Sequence, residues 1–493
     1  MERIEFVDVT LRDGHQSLWA ERMTTGMMLP VIDRLDRAGF DALEVLAPSF
    51  IGKCVRDLRE DPFERIRLLK AHGGRTPLRL NGGGLNLFGT DQHSMVELFW
   101  RVMKRAGIDE VRVSDSWNDP AVWAKRAGAA AKAGVKPIIN LTYSVSPRHT
   151  DEYFIERTRA AAALKPYRIC LKDPGGLLTP ERTAMLVPAM MDAAAGIPIE
   201  MHGHCSTGLG PLNALEAVRK GVRIVNIAIP PLADDASLPS LFNVAANLRA
   251  LGYETAVDED LVRPVQAHFE EVARREGFPV GRPVEYDYAQ YVHQVPGGMI
   301  SNLRNQLKEV GAEDRLPAAL EEAVRVRAEF GYPIMVTPLS QYVGSQAAVN
   351  VMTGGRYVQV TDQSIRYALG HFGGDVERLM DPEVRAKILD RPRARELAAM
   401  DMTQHDEATI RKDLDAVDLP EEEVLLRHLL RRDDIARMRA SATAPREYVT
   451  GAGDSLVSLI AELSRRASAT RVHVSRPGFS LTLGRTPADG AGS

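Results

Sequence analysis

Eight strand-length apolar runs, each followed by a segment of helical periodicity, fill the first 255 residues and predict an α/β fold of the TIM (β/α)8 barrel type. Gly, Pro, Asn and Asp mark the joints, and the spacing suits parallel crossovers rather than hairpins. Beyond residue 255 the alternation stops and a mainly α-helical C-terminal domain is expected. In chain order the expected strands are Ile4–Val9, Ala42–Leu46, Leu78–Leu80, Glu110–Val113, Pro137–Leu141, Tyr167–Leu171, Ile197–Met201 and Val222–Ile227. Crossover helices are expected at Gly26–Ala38, His93–Ala106, Pro180–Ala193 and Leu212–Lys220, among others. A doubly wound sheet uses the same alternation, but eight units over about 250 residues match the closed barrel better.

The segments LVRPVQAHFEEVARREG, AALEEAVRVRAEF and EEEVLLRHLLRRDDIARMRA carry helical spacing. The expected division is a catalytic barrel over 1–255, a helical extension over 256–470 packing on the barrel mouth, and a last part over 471–493. That last part holds one strand-like piece, RVHVSRPGFSLTLGR, and a tail of small and polar residues.

The 493 residues include 62 Lys and Arg against 66 Asp and Glu, a net charge of −4. No basic footprint for nucleic acid or an anionic membrane is present. Hydrophobic residues at 44% and charged residues at 26% exclude a disordered or fibrous chain. The opening MERIEFVDVTLRDG has no basic stretch leading into an apolar run, and no window is long and apolar enough to span a bilayer, so a cytoplasmic protein is expected. Cys54, Cys170 and Cys205 are far apart and odd in number, which reads as reduced thiols rather than a disulfide framework.

In a barrel of this kind the active site lies at the C-terminal ends of the strands, which filters the candidate residues. At the seventh strand, MHGHCSTG places His202 and His204 two apart, on the same side of an extended chain, where both imidazoles can reach one metal ion. The alternative is a pair of hydrogen-bonded structural histidines. Asp8 closes the first strand in VDVTLRDGHQS and is an oxygen donor suited to a divalent ion, or else a turn cap beside a solvated Arg12–Asp13 pair. Lys172 ends the sixth strand in YRICLKDPGG, in a chain with 12 lysines against 50 arginines. Desolvated at a rim, such an amine can form a Schiff base or add carbon dioxide to give a carbamate ligand; its alternative is an ion pair with Asp173.

These residues sit in a longer series: VTLRDGHQSL, LREDPFERI, VRVSDSWND, YSVSPRHTDEY, CLKDPGGLLTPE, MHGHCSTG, HQVPGGMISNLRNQLKE and VTPLSQYVG. In content and order the series resembles the biotin-dependent carboxyltransferase family, which includes pyruvate carboxylase, the oxaloacetate decarboxylase α subunit and the transcarboxylase carboxyltransferase subunit. The resemblance implies a divalent metal (Zn, Mn or Co) held by Asp8, a carbamylated Lys172, His202 and His204. It further implies that Thr337 shuttles a proton between substrate and biotin, that Gln16 contacts the oxo acid, and that Ser340 lines the biotin pocket.

The departures from the family pattern are equally specific. Gly83, in NGGGLNLFG, stands where an arginine clamps the pyruvate carboxylate, and glycine cannot supply a bidentate guanidinium. Gly52, Thr90 and Gln341 stand where the family has an aspartate, a tyrosine and a lysine of its biotin pocket. An oxo acid other than simple pyruvate is therefore expected. Met103–Lys104–Arg105 lacks the biotin-attachment pattern and no P-loop is present, so biotin would arrive on a separate carrier chain charged by a biotin carboxylase chain. A homodimer is implied by the resemblance. The alternatives are a biotin-independent metal-dependent C–C lyase on the same scaffold, and an inactive scaffolding subunit of a carboxylase complex.

Overall fold

The computed structural model describes residues 2–82, 85, 91–286, 288–295, 300, 303–304, 307–308, 311–373, 376–400, 402–441, 448, 471–476 and 479–484. Gly83 and Thr90 lie outside the described residues. The chain forms two compact units, Met1–Arg446 and Glu447–Ser493.

In the first unit, strands β1 (Arg3–Asp8), β2 (Ala42–Leu46), β3 (Leu78–Gly82), β4 (Ile108–Val113), β5 (Lys136–Thr142), β6 (Arg168–Asp173), β7 (Ile199–Gly203) and β8 (Ile224–Ile227) pair in parallel, each with the next. β1 closes the ring, with Val7 opposite Ala42 of β2 and Phe6 opposite Val225 of β8. The short β9 (Glu254–Thr255) pairs beside the start of β1. This is the expected eight-stranded barrel.

The crossovers are helices α1 (Thr25–Arg37), α2 (Pro62–His72), α3 (His93–Ala106), α4 (Pro120–Lys132), α5 (Asp151–Ala163), α6 (Pro180–Ala193), α7 (Gly210–Arg219) and α8 (Leu241–Ala250). Their starts are written locally. Thr24, Thr150 and Thr179 accept the N–H groups of Met27, Tyr153 and Arg182, while Asp61 and Asp119 cap helices that open on Pro62 and Pro120. A proline there gives up no intrahelical hydrogen bond, because the first-turn N–H groups have no partner in the helix.

Side chains alternate along each strand, so every second residue faces the barrel interior. Glu44, Arg79, Glu110, Arg112, Arg168, Cys170, Glu200, His202 and Asn226 share that interior, joined by hydrogen bonds and ion pairs across the ring. Val7 of the first strand and Val9 just past it pack there too, with Ala42, Ile224 and Ala228.

Helix α9 (Glu259–Glu276) lies against α1, with His268 Nε2 2.7 Å from the Met27 carbonyl oxygen. Helices α10 (Leu316–Glu329), α11 (Leu339–Thr353), α12 (Asp362–Ala368) and α13 (Pro382–Leu389) share an apolar core around Phe330, Leu339, Val343, Ile365, Tyr367 and Ile388. The continuous helical stretch expected near the end of this region is two helices, α14 (Glu421–Leu429) and α15 (Arg432–Ala440), because Leu430 and Arg431 are extended. α14 docks on the barrel flank, Glu421 and Glu422 meeting Arg67, Arg101 and Arg105 of α2 and α3.

In the second unit the expected single strand is a hairpin. β10 (Arg471–Arg476) and β11 (Phe479–Gly484) pair antiparallel, and the Pro477-Gly478 dipeptide of the sequence stands between them. Cys54, Cys170 and Cys205 are buried and unpaired. Among the described residues no helix is long and apolar enough to cross a membrane.

Candidate metal centre at the barrel rim

After β1 the chain enters a single π-helical turn, Thr10–Gly14, tied back by Arg12 N–H and Gly14 N–H to the Val9 carbonyl. A side chain at Gly14 would stand 3.0 Å from the Leu232 carbonyl oxygen, so this turn needs glycine to lie close to the segment after β8. The turn carries Asp13 over the rim. Its Oδ2 lies 3.3 Å from His202 Nε2 and its Oδ1 3.6 Å from His204 Nε2; the two imidazole Nε2 atoms are 3.3 Å apart. Asp13, His202 and His204 are the group of at least three His, Cys, Asp or Glu side chains whose donor atoms converge among the described residues, and all three are buried.

Asp8, expected in that position, is elsewhere. Strand alternation points it away from the interior occupied by Val7 and Val9, and its Oδ1 accepts from the Thr10 hydroxyl and N–H. Its Oδ2 is buried without a partner among the described residues, and burial pushes its carboxyl up to about 7. Asp13, which the sequence offered as half of a solvated pair with Arg12, is the carboxylate that joins the histidines.

Three cations or near-cations govern the charge of the cluster. Burial opposes ionisation of Asp13, yet the Arg12 guanidinium 2.5 Å away and the two imidazoles hold its carboxyl well below the usual range. Burial and Arg112 keep His202 well below its ordinary value, so it is neutral near pH 7. Lys172 stands beside His202 in the register of β6 and β7, and burial, with Arg112 and Arg12 nearby, lowers it to about 8. It forms no ion pair among the described residues. Asp173, the alternative partner, instead accepts the N–H groups of Leu177 and Leu178.

Arg12 and Arg112 are themselves held by one buried carboxylate, Glu44. Arg12 Nε donates to it at 2.5 Å, and Arg112 donates from Nε and Nη2 at 2.6 and 2.8 Å. The two guanidiniums keep Glu44 down at about 2 in spite of its burial. Below this, the buried Arg79 pairs with Glu110 and Glu200.

The donor set fits a divalent ion. His204 Nδ1 lies 2.7 Å from the Ala236 carbonyl oxygen, so it carries the proton and leaves a lone pair on Nε2, facing Asp13 and His202. Two imidazole nitrogens and a carboxylate are a donor combination that suits zinc and its neighbours.

The other expected residues are placed as follows. Gln16 is exposed at the rim and accepts from Arg12 Nη1 at 3.1 Å. Thr337 is exposed on the connection from α10 to α11. That connection is tied to the loop after β5 by Arg327, which donates from Nε to the Pro333 carbonyl and from Nη2 to Ser144 Oγ and the Val145 carbonyl. Ser340 is enclosed in the first turn of α11, its Oγ without a partner among the described residues. Neither Thr337 nor Ser340 hydrogen-bonds to the Asp13–His202–His204 cluster among the described residues. At Gly52 a side chain would meet the Arg56 guanidinium at 3.1 Å.

Residues 101–267 match the family model described as HMGL-like, and residues 291–437 match the one described as conserved carboxylase domain. One of the subunits of the pyruvate carboxylase of Methanocaldococcus jannaschii is 36% identical over 392 residues, 78% of this chain and 68% of that relative. The chain belongs to the biotin-dependent carboxyltransferase family. It is thus an enzyme of the carboxyltransferase type. A second relative in this family, the 2-oxoglutarate carboxylase large subunit of Hydrogenobacter thermophilus, is 32% identical over 381 residues, 76% of this chain and 58% of that one. The carboxyl transferase domain of Rhizobium etli pyruvate carboxylase has the same fold, with a TM-score of 0.79, 24% identity, and 90% of this chain and 78% of that domain chain covered.

Sequence reasoning passed over Glu44, Arg112 and Asn226, and underrated Arg12 and Asp13. The signal was present: single polar residues inside the apolar runs ALEVL, VRV and IVNI, at the parity that faces the barrel interior.

Proposed function

We propose that this enzyme moves a carboxyl group to or from an oxo acid, with biotin presented by a separate carrier chain that a biotin carboxylase chain charges. Asp13, His202, His204 and a carbamylated Lys172 would hold a divalent ion. The convergence of Asp13, on the turn after β1, with His202 and His204, their facing atoms 3.3 to 3.6 Å apart, carries this reading. When bound, the ion supplies Lewis acidity at the keto oxygen as charge develops there.

The chain's own residues have definite tasks in this reading. A Lys172 lowered to about 8 offers a neutral amine to carbon dioxide: the N–C bond forms, one proton leaves, and the carbamate carries a negative charge. Gln16, beside Arg12 at the rim, contacts the oxo acid. Thr337, on the connection that Arg327 anchors to the β5 loop, passes the proton between substrate and biotin, and Ser340 lies behind it on α11. The barrel, 1–255, is the catalytic part, and the helical extension over 256–470 supplies Thr337. An oxo acid larger than pyruvate is supported by Gly83 at the clamp position and by a relative named for 2-oxoglutarate. A cytoplasmic homodimer completes the proposal.

The test is decarboxylation of oxaloacetate and a panel of larger β-carboxylated oxo acids by the purified protein loaded with zinc, manganese or cobalt, with and without biotin. Turnover that rises with biotin and is lost in His202→Ala is expected. Turnover indifferent to biotin would replace the transferase reading with a metallo-lyase, and a fully active His202→Ala protein would sink the metal role.

A further inference from the structure

The two imidazoles of the cluster differ in what surrounds their far nitrogens. His204 Nδ1 faces a carbonyl oxygen, Ala236 O, which only accepts, so its tautomer is set. His202 Nδ1 has two neighbours of opposite kind: the donor Arg112 Nη1 at 2.8 Å and the acceptor Asn226 Oδ1 at 3.0 Å. The Asn226 amide has one orientation, because its Nδ2 donates to Glu200 Oε1 at 2.7 Å. Arg112 is equally fixed, by its two hydrogen bonds to Glu44. One ring nitrogen cannot accept from Arg112 and donate to Asn226 at once.

Which neighbour prevails depends on what lies at the other end of the ring. With nothing between the donors, a proton on His202 Nε2 faces two acceptors, Asp13 Oδ2 and His204 Nε2, each 3.3 Å away, while Nδ1 accepts from Arg112. A proton on Nδ1 would instead leave three electron-rich atoms facing one another. A cation among them reverses the preference, because Nε2 must then be bare and the proton needs an acceptor at Nδ1.

Building on the reading of this cluster as a metal centre, we propose that His202 is a tautomer switch: it carries its proton on Nε2 in the metal-free protein and on Nδ1 once an ion is bound, with Arg112 serving the first state and Asn226 the second. One N–H bond breaks at Nε2 and one forms at Nδ1, so the imidazole is neutral before and after and His202 releases no net proton on loading. His204 keeps the same tautomer throughout. Asn226 is thus a positioning residue for the loaded state only.

The experiment is side-chain NMR of the full chain labelled with 15N-histidine, without metal and with one equivalent of zinc, His202→Ala and His204→Ala supplying the assignments. The expected result is that the His202 proton moves from Nε2 to Nδ1 on loading while the His204 proton stays on Nδ1. A His202 proton already on Nδ1 without metal overturns the switch. In Asn226→Leu the metal-free spectrum of His202 should match wild type while zinc affinity, measured by competition with a chelator, falls about 10–100-fold. An unchanged affinity there overturns the role of Asn226. The wild-type spectra decide the matter even if that variant fails to fold. A wild-type protein that binds no zinc overturns the metal centre and the switch together, whereas zinc bound with an unmoved proton overturns the switch alone.

Discussion

At mid-height in the barrel, the inward positions are Glu44, Arg79, Arg112, Glu200 and Asn226, all essentially inaccessible. In the helical segment over 316–398 the equivalent central positions are Phe330, Leu339, Val343, Tyr367 and Ile388, with the Phe330 and Tyr367 rings stacked 4.9 Å apart. The helical core coheres through dispersion and apolar burial, which are non-directional and tolerate small rearrangements. The charged part of the barrel core is directional: each guanidinium has one geometry that satisfies its carboxylates, and a half-satisfied network is worse than none. Such a core is a poor source of stability and a good source of position, and the donors it positions are those at the rim.

Removing the hub should separate the two regions most clearly. Glu44→Ala leaves Arg12 and Arg112 buried without their carboxylate, at a cost of about 3–5 kcal/mol in urea unfolding, and zinc affinity should fall with it because both arginines touch cluster residues. Next, Ile388→Ala in the helical core should cost about 2–4 kcal/mol by cavity formation while zinc affinity stays at the wild-type value. A helical-core variant that lost zinc as severely as Glu44→Ala would erase the distinction.

Asp8 sharpens the comparison from the other side, as a buried carboxylate left out of the network. Its carboxyl is raised to about 7 from an ordinary value near 4. The stability linked to it is therefore full below pH 4 and lost as pH rises through about 7. Asp8→Asn should match wild type near pH 4 and exceed it above pH 7 by on the order of 2–3 kcal/mol, read from unfolding midpoints across that window. Glu44, held down at about 2, has the opposite sign: its contribution is present above about pH 4.5 and fades as pH falls toward 2. The smallest effect is expected on the flank. Glu422→Ala breaks a half-exposed pair with Arg67 and should change stability by about 0.2–1 kcal/mol, less at high salt.

The barrel was legible because its two periods, 2 and 3.6, are written in apolar residues: His93–Ala106 and Pro180–Ala193 were expected with the bounds observed. The site was legible where that same period applied, since His202 and His204 point inward as an i, i+2 pair must. It misled at Asp8, where the strand's own alternation argued against the choice and the π-helical turn that delivers Asp13 leaves no apolar signature. Asn226 and Arg112 were legible only as single polar residues facing inward within apolar runs; no period in the sequence says that both reach Nδ1 of His202. The break at Leu430 was missed because a leucine and three arginines at 430–432 and 427 suit a helix as well as a hinge.

Ring closure joins residues far apart in the order of synthesis. Thr10, just past the first strand, is bound by Ile229, 219 positions later, and Arg67 meets Glu422 across 355. At ribosomal rates of about 5–20 residues per second, the first strand waits roughly 10–40 s for its second neighbour. During that interval β1 is an open edge ending at the turn that carries Asp13, so the rim takes shape only after β8 arrives and α14 docks later still. The barrel strand made first thus gains its second neighbour only when the barrel strand made last arrives, and until then its open edge can pair with another chain.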